Sequence, residues 1–328
     1  MADKKAFVTG VTGQDGAYLS KLLLEKGYRV YGLLQRSTRY AFENLDYLGV
    51  TGDVDYVEGN MDDEASLINA IRRVHPDEVY NLAAQSFVGA SWDQARLTTE
   101  VNSLGVLNLL NAIKNFTPTT RFYQASTSEM FGNSADEQGI QTEKTPFHPR
   151  SPYAISKLYA YWITINYKES FGMYCCNGIL FNHESPIRGL EFVTRKITDA
   201  AVRIKLGTQD RLGLGNLDSY RDWGFAGDYV EAMYLMLQQD EPDNYLVSTG
   251  NTHSIADFCS AAFARVGIED WEKYVYIDPA FKRPAELHRL RGHSDRAAEK
   301  LGWKPRVGFD ELVNMMVDAD MKRLSPAD

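Results

Sequence analysis

The 328-residue sequence predicts an α/β fold: a doubly wound parallel sheet followed by a smaller mixed α/β C-terminal part that holds the substrate. Three observations carry that expectation. Short β-rich runs alternate with longer helical patterns as far as about residue 180, three glycines stand between the first strand and the first helix, and after about residue 182 the alternation gives way to loops, turns and mixed segments.

In chain order the predicted strands are KAFVTG, RVYGLL, VDYVEG, EVYNLA, RFYQAS and CNGILF, rich in β-branched and aromatic residues. Between the first two lies AYLSKLLLEKG, whose leucines recur at helical spacing and which stops at Gly27. TTEVNSLGVLNLLNAIKNF is long enough for several helical turns before the fifth strand. RSPYAISKLYAYW opens another helix, with Ser151 as N-cap and Pro152 at the first helical position. Further on, NHESPIRGLEFV has loop composition, TRKITDAAVRIKLG reads as a helix, and RDWGFAGDYVEAMYLMLQQ as a turn and a helix. The strand NYLVSTG is expected to return to the first sheet. Residues 1–182 with about 218–251 are therefore assigned to a Rossmann domain for a dinucleotide, and about 183–217 with 252–328 to the substrate domain.

At 44% hydrophobic and 24% charged residues the chain can bury a full core. A net charge of -9 gives no electrostatic reason to bind nucleic acid or an anionic membrane. No apolar run is long enough to span a bilayer, and MADKKAFVTG enters a strand pattern without a secretory leader, so a cytoplasmic protein is expected. Cys175, Cys176 and Cys259 have neither metal-ligand spacing nor the pattern of a disulfide framework. They are assigned to packing, and no metal is expected.

VTGVTGQDGAYL places Gly10, Gly13 and Gly16 where a backbone must turn tightly, approach a pyrophosphate and present it to a helix N-terminus. At the end of the second strand, GLLQRSTR lacks the acidic residue that meets the ribose of NAD and offers Arg36 and Arg39 instead. Guanidinium groups there suit the 2'-phosphate of NADP, the other reading being two solvated arginines on a loop. Tyr153 and Lys157 fall four residues apart on one helix face. An ammonium about 4 Å from the phenol, at an effective dielectric of about 20, contributes about 4 kcal/mol, or roughly three pK units, part of which desolvation returns. A phenol so tuned takes a proton from a sugar hydroxyl while hydride leaves the same carbon for nicotinamide.

TGVTGQDG, NLAAQS, STSEMFG, the Tyr153/Lys157 pair, ILFNHESPIRGLEFVTRKI and LGNLDSYRDWGFAGDYVEAM together resemble the GDP-mannose 4,6-dehydratases, within the extended short-chain dehydrogenase/reductases. The likeness covers nearly the whole chain. Its glycine turn and Tyr-Lys pair are common to the superfamily, whereas the stretch from FNHESP to VTRK is specific to these dehydratases and their nearest relatives. The resemblance implies conversion of GDP-D-mannose to GDP-4-keto-6-deoxy-D-mannose and water, by internal hydride transfer from C4 to C6 through NADP. It gives the C4 hydroxyl to Tyr153 with Thr127 and Lys157, and the C5 proton and leaving C6 hydroxyl to Glu129. Related dTDP-glucose dehydratases carry an Asp before that Glu, where this chain has Ser128, so Glu129 is the single carboxylate there.

The same resemblance implies cofactor contacts for Thr12, Gln14, Asp15, Asn60, Met61, Leu82, Ala84, Ser86, Lys157, His183 and Arg188. It implies nucleotide-sugar contacts for Ser86, Asn182, Val193, Lys196, Arg221, Arg283 and Glu286. The chain departs from the family at Asn60, usually Asp, and at Gln35, usually a second Arg. Three other readings keep the scaffold: a GDP-manno-heptose 4,6-dehydratase, a GDP-sugar C4 oxidoreductase, and a catalytically idle nucleotide-sugar binder. Glu129 has no use in an oxidoreductase, and the intact Thr127, Glu129, Tyr153 and Lys157 argue against an idle site. Helices expected at about 96–115 and 152–170 are apolar on more than one face, which suits an intersubunit four-helix bundle of a homodimer or homotetramer, as in the family.

Overall fold

All six predicted strands form, close to the bounds read from the sequence. The computed structural model describes residues 4–38, 40–281 and 284–325, so Arg39 and Arg283 lie outside the described residues. In chain order come β1 (Lys5–Thr9), α1 (Gln14–Glu25), β2 (Arg29–Leu34), α2 (Glu43–Leu48), β3 (Asp55–Glu58), α3 (Glu64–Val74), β4 (Glu78–Asn81), α4 (Ala95–Thr99), α5 (Gly105–Phe116), β5 (Arg121–Thr127), α6 (Pro152–Phe171) and β6 (Cys175–Leu180). The strands pair in parallel in the order β3-β2-β1-β4-β5-β6. Strand order therefore reverses between β1 and β4, and the carboxyl ends at that switch open a crevice.

Both faces of the sheet are covered, and side-chain alternation sorts the core in two. Ala6 and Val8 face one cluster, with Leu19 and Leu23 of α1, while Phe7 faces the other, with Leu67 of α3 and Leu109 and Ile113 of α5. Each such fully buried leucine contributes roughly 2 kcal/mol. The helix expected through residues 98–116 is interrupted. Glu100–Leu104 widens into a π turn, where the Asn102 side chain accepts from the Gln85 N–H at 2.8 Å and donates back to the Gln85 carbonyl at 3.0 Å. Apolar periodicity carries no sign of that long-range polar contact.

Beyond the sixth strand follow β7 (Asn182–Glu184), α7 (Val193–Lys205), β8 (Leu212–Leu214), β9 (Tyr220–Arg221), β10 (Trp223–Phe225), α8 (Ala226–Met236) and β11 (Asn244–Val247). As expected of NYLVSTG, β11 returns to the sheet and pairs in parallel with β6, and α8 packs against α1. The chain ends with β12 (His253–Ser254), α9 (Ile255–Arg265), β13 (Val275–Ile277), β14 (Arg289–Leu290), α10 (Asp295–Leu301) and α11 (Phe309–Leu324). Helices α7, α9 and α11 share a third core around Ile197, Phe258, Phe263 and Met316. A buried ion pair, Arg195 Nη2 to Asp320 at 2.6 Å, ties α7 to α11. β9 lies between β12 and β14, and β10 runs parallel to β7, which follows β6 directly, so these elements adjoin the carboxyl edge of the sheet. Among the described residues no helix is long and apolar enough to cross a membrane.

Candidate active site

The glycine turn is shaped by close approach. Gly10 has φ +67°, and a Cβ there would lie 2.8 Å from the Ala83 nitrogen; a Cβ on Gly16 would lie 2.2 Å from the Gly10 carbonyl oxygen. Gly13 is different: it is exposed, caps α1 without a side-chain bond, and meets the Gly10 oxygen at 3.2 Å with open space elsewhere. A dinucleotide pyrophosphate fits that cradle, against first-turn N–H groups that no side chain caps. Leu82 and Ala84 follow β4 beside it, with the Leu82 N–H bonded to Thr9 Oγ1 at 3.1 Å. Thr12 is fixed by its carbonyl, which accepts from Asn44 at 2.9 Å. Arg36, at the end of β2, and Ser86 are exposed.

Gln14, Asp15 and His183 are brought together. His183 donates through Nδ1 to the Phe181 carbonyl and through Nε2 to the Asp15 carboxylate, both at 2.7 Å, and stacks on Tyr229. Burial alone would lower the His183 pKa, but Asp15 and the Phe181 carbonyl outweigh it and hold the imidazole above its ordinary value. Burial likewise works to raise Asp15, and His183 with Gln14 brings it below the usual carboxylate range. Gln14 donates to Asp15 and to the His183 carbonyl, each at 3.1 Å, and accepts from Ser185 at 2.7 Å. The cofactor turn is thus locked to β7. Of two further expected cofactor residues, Met61 buries its side chain in the second core against Gly105, where α5 packs, and the Asn60 N–H beside it donates to Ser66 Oγ at 3.0 Å.

At the end of β5, the Thr127 hydroxyl accepts from the Glu129 N–H at 3.2 Å, and Ser128–Phe131 coils into a 3₁₀ turn. That turn stops at Gly132 (φ +61°), where a Cβ would lie 2.0 Å from the His148 carbonyl oxygen. Helix α6 starts as its sequence signals: Ser151 accepts from the Ala154 N–H at 3.0 Å and Pro152 follows. Tyr153 and Lys157 are buried on its inner face, and the Thr127 hydroxyl bonds the phenol. Lys157 Nζ donates to the Ala125 carbonyl at 2.9 Å. The expected low phenol pKa is not what this environment produces. Burial pushes Tyr153 well above its ordinary value, only partly offset by Thr127, and burial lowers the Lys157 ammonium to about 8.

Next to these groups lies a cavity of about 490 Å³ lined by Glu129, Asn182, Val193, Lys196, Arg221 and Glu286. Arg188, expected at the cofactor, lines it too; Ser86 does not border it. Arg221 donates to the Tyr220 and Leu287 carbonyls at 2.8 and 3.0 Å, which ties β9 to the segment before β14. Burial lowers the Lys196 pKa, and its Nζ lies 3.3 Å from the Phe281 ring centre. The Arg188 guanidinium covers Phe192 at 3.5 Å, with Nε 3.0 Å from the buried Glu184. Phe87, Phe192, Trp223 and Phe281 form aromatic walls that no local motif announced, since they converge from four distant segments. Another cleft, of about 580 Å³, lies at the amino ends of β4 and β5 around His75 and Arg121, far along the strands from Tyr153.

A parallel sheet that gathers a glycine cradle, a buried Tyr-Lys pair and a cavity at its carboxyl edge defines a Rossmann-type enzyme built for hydride exchange at a carbon bearing oxygen. A family model described as GDP-mannose 4,6 dehydratase matches residues 7–316. GDP-mannose 4,6 dehydratase 1 of Arabidopsis thaliana is 50% identical over 331 residues, spanning 97% of this chain and 90% of that protein. The chain belongs to the GDP-mannose 4,6-dehydratase family. Among solved structures, the UDP-glucose 4-epimerase of Thermus thermophilus in complex with NAD matches with a TM-score of 0.84 at 28% identity, over 96% of this chain and 98% of that one. RMD from Pseudomonas aeruginosa complexed with NADPH matches with a TM-score of 0.80 at 26% identity, over 98% and 99%.

Proposed function

We propose that the protein converts GDP-D-mannose to GDP-4-keto-6-deoxy-D-mannose and water, with NADP as its cofactor. The observation that carries this reading is Glu129 lining the same cavity as Lys196 and Arg221, at the end of the strand that also presents Thr127 to Tyr153. Gly10, Gly13 and Gly16 would hold NADP along the glycine turn, where it would supply the acceptor for the C4 hydride and the donor for C6. The proton chemistry belongs to the chain. Tyr153, held by Thr127, takes the C4 hydroxyl proton as its phenolate, and the Lys157 ammonium offsets the phenolate charge that this step neutralises. A ketone at C4 acidifies the C5 hydrogen. Glu129 takes that proton and passes it to the C6 hydroxyl, which leaves as water. The count closes when the proton held by Tyr153 is given back, at C5.

Lys196 and Arg221, with Arg283, neutralise the diphosphate; Asn182, Val193 and Glu286 position the rest of the nucleotide sugar. Arg36 favours NADP, since no carboxylate in GLLQRSTR meets a ribose 2'-hydroxyl. In this reading residues 1–182 with about 218–251 serve the cofactor and the remainder serves the sugar nucleotide. The three cysteines are free and buried, which suits the cytoplasm. Ile155, Tyr159 and Trp162 expose an apolar groove on α6, and Leu97 and Leu104 add exposed apolar surface nearby in sequence to α4 and α5; a second copy of the chain covers this face in a homo-oligomer. Light scattering of the protein and of Trp162→Glu tests that assembly: the substitution lowers the mass, and an unchanged mass refutes it.

The chemistry is tested with GDP-mannose carrying deuterium at C4. The product loses one water and holds the label at C6, with no net change in NADPH absorbance. Label in solvent or on free coenzyme overturns the reading.

A further inference from the structure

We propose that Gln124 is a positioning residue for Lys157, acting through the carbonyl of Ala125; this rests on the reading of Tyr153 and Lys157 given above. Strand register places Thr9, Asn81 and Gln124 in one row across β1, β4 and β5, and all three side chains are fully buried. Their hydrogen bonds run in one direction. The Thr9 hydroxyl oxygen accepts from the Leu82 and Ala83 N–H groups at 3.1 and 3.0 Å, and its own proton goes to Asn81 Oδ1 at 2.6 Å. With Asn81 Oδ1 so engaged, Asn81 Nδ2 donates to Gln124 Oε1 at 2.7 Å, and Gln124 Nε2 donates to the Ala125 carbonyl at 2.9 Å. Lys157 Nζ donates to that same oxygen, also at 2.9 Å.

Each acceptance in such a chain strengthens the next donor, so the last amide is the best donor of the series. Its target is the one backbone oxygen that holds the catalytic ammonium. A carbonyl has two lone pairs. Gln124 occupies one and fixes the oxygen from the sheet side, leaving the other for Lys157. The ammonium is thereby held at a set point on the inner face of α6 rather than drawing the carbonyl toward itself. Its burial makes that setting matter, because a charge in a poorly solvated site acts strongly on a neighbouring phenol. The row begins one residue before Gly10, so the ladder also couples the cofactor turn to Lys157.

Gln124→Met keeps the side-chain length and removes the donor. Gln124→Glu still accepts from Asn81 and, when ionised, sets an anion beside Lys157. Stopped-flow absorbance of NADPH formed in the first hydride transfer is followed against pH, with KM for GDP-mannose and the NADP dissociation constant. For Gln124→Met the step slows about tenfold near neutral pH and the acid limb of its profile moves up by about one unit, while KM and cofactor affinity stay within about twofold. Gln124→Glu moves the limb further the same way, and decides alone if the Met variant does not fold. Unchanged limbs in both, or a slowing matched by equal loss of cofactor affinity with no change of limb, overturn the proposal. Tyr153→Phe and Lys157→Met run in parallel: normal turnover in these refutes the underlying reading, whereas their inactivity beside wild-type profiles in both Gln124 variants refutes the inference alone.

Discussion

Lys157→Met is expected to stabilise the protein near neutral pH while stopping its chemistry. Burial lowers the ammonium from 10.5 to about 8, and a fall of that size corresponds to about 3 kcal/mol. The sign follows from proton counting. Below about 8 the lysine is charged in both folded and unfolded chains, and the whole cost of burying the ammonium is present. Between about 8 and 10.5 the unfolded chain holds the extra proton, so stability rises with pH; above 10.5 the cost is gone. Methionine has no such cost. Relative to wild type, the variant gains up to about 3 kcal/mol at pH 7.5, and the gain shrinks by about 1.4 kcal/mol for each pH unit above 8.

Three buried thiols tilt the pH dependence the other way. Cys175, Cys176 and Cys259 are pushed up by burial from 9.0 to about 12, so the unfolded chain releases thiol protons first and stability falls above 9.0. That slope is common to both proteins and cancels in the difference. Urea unfolding of the pair at about pH 7.5 and about pH 9.5 reads the effect, and turnover falls at least about a hundredfold. A variant less stable than wild type at the lower pH, a gap that does not narrow at the higher one, or turnover within tenfold of wild type refutes the reasoning.

Glu129→Gln accepts no C5 proton, so bound NADPH accumulates while product forms more than about a hundredfold more slowly, read by absorbance and product mass. Asp15→Asn weakens the lock between the cofactor turn and β7. Asp15 is held low, so its contribution is present above the ordinary carboxylate range and lost as pH falls through its lowered value. His183 is held high, so its contribution is present below the ordinary imidazole range and lost as pH rises through its raised value. The stability gap from wild type, about 2 kcal/mol, is therefore widest between those ranges in a pH series of denaturation curves. Asp320→Ala leaves the buried Arg195 without the carboxylate that takes its Nε at 3.0 Å and its Nη2 at 2.6 Å. It costs about 3–5 kcal/mol by urea unfolding, with turnover per folded molecule unchanged.

Most of the scaffold can be read along the chain because its causes are short-ranged. The spacing of Gly13 and Gly16 answers to contacts within one turn, Ser151 and Pro152 answer to the first turn of α6, and alternation of Ala6, Phe7 and Val8 follows from strand pleating alone. The Tyr153/Lys157 pair is legible for the same reason, being one helical turn apart. What the chain order conceals are contacts between distant segments. Asp15 meets His183 across 168 positions, Gln85 opens the π turn at Asn102, α5 draws Met61 inward, and four aromatic walls close one cavity. The titration of Tyr153 belongs to this second group. Helical spacing sets Lys157 one turn from Tyr153, but its Nζ turns to the Ala125 carbonyl, and the free energy of the phenol's charge depends on how much water the whole fold removes, so burial is the largest cause of its shift. Local geometry is written in neighbouring residues, whereas desolvation is a property of everything packed around them.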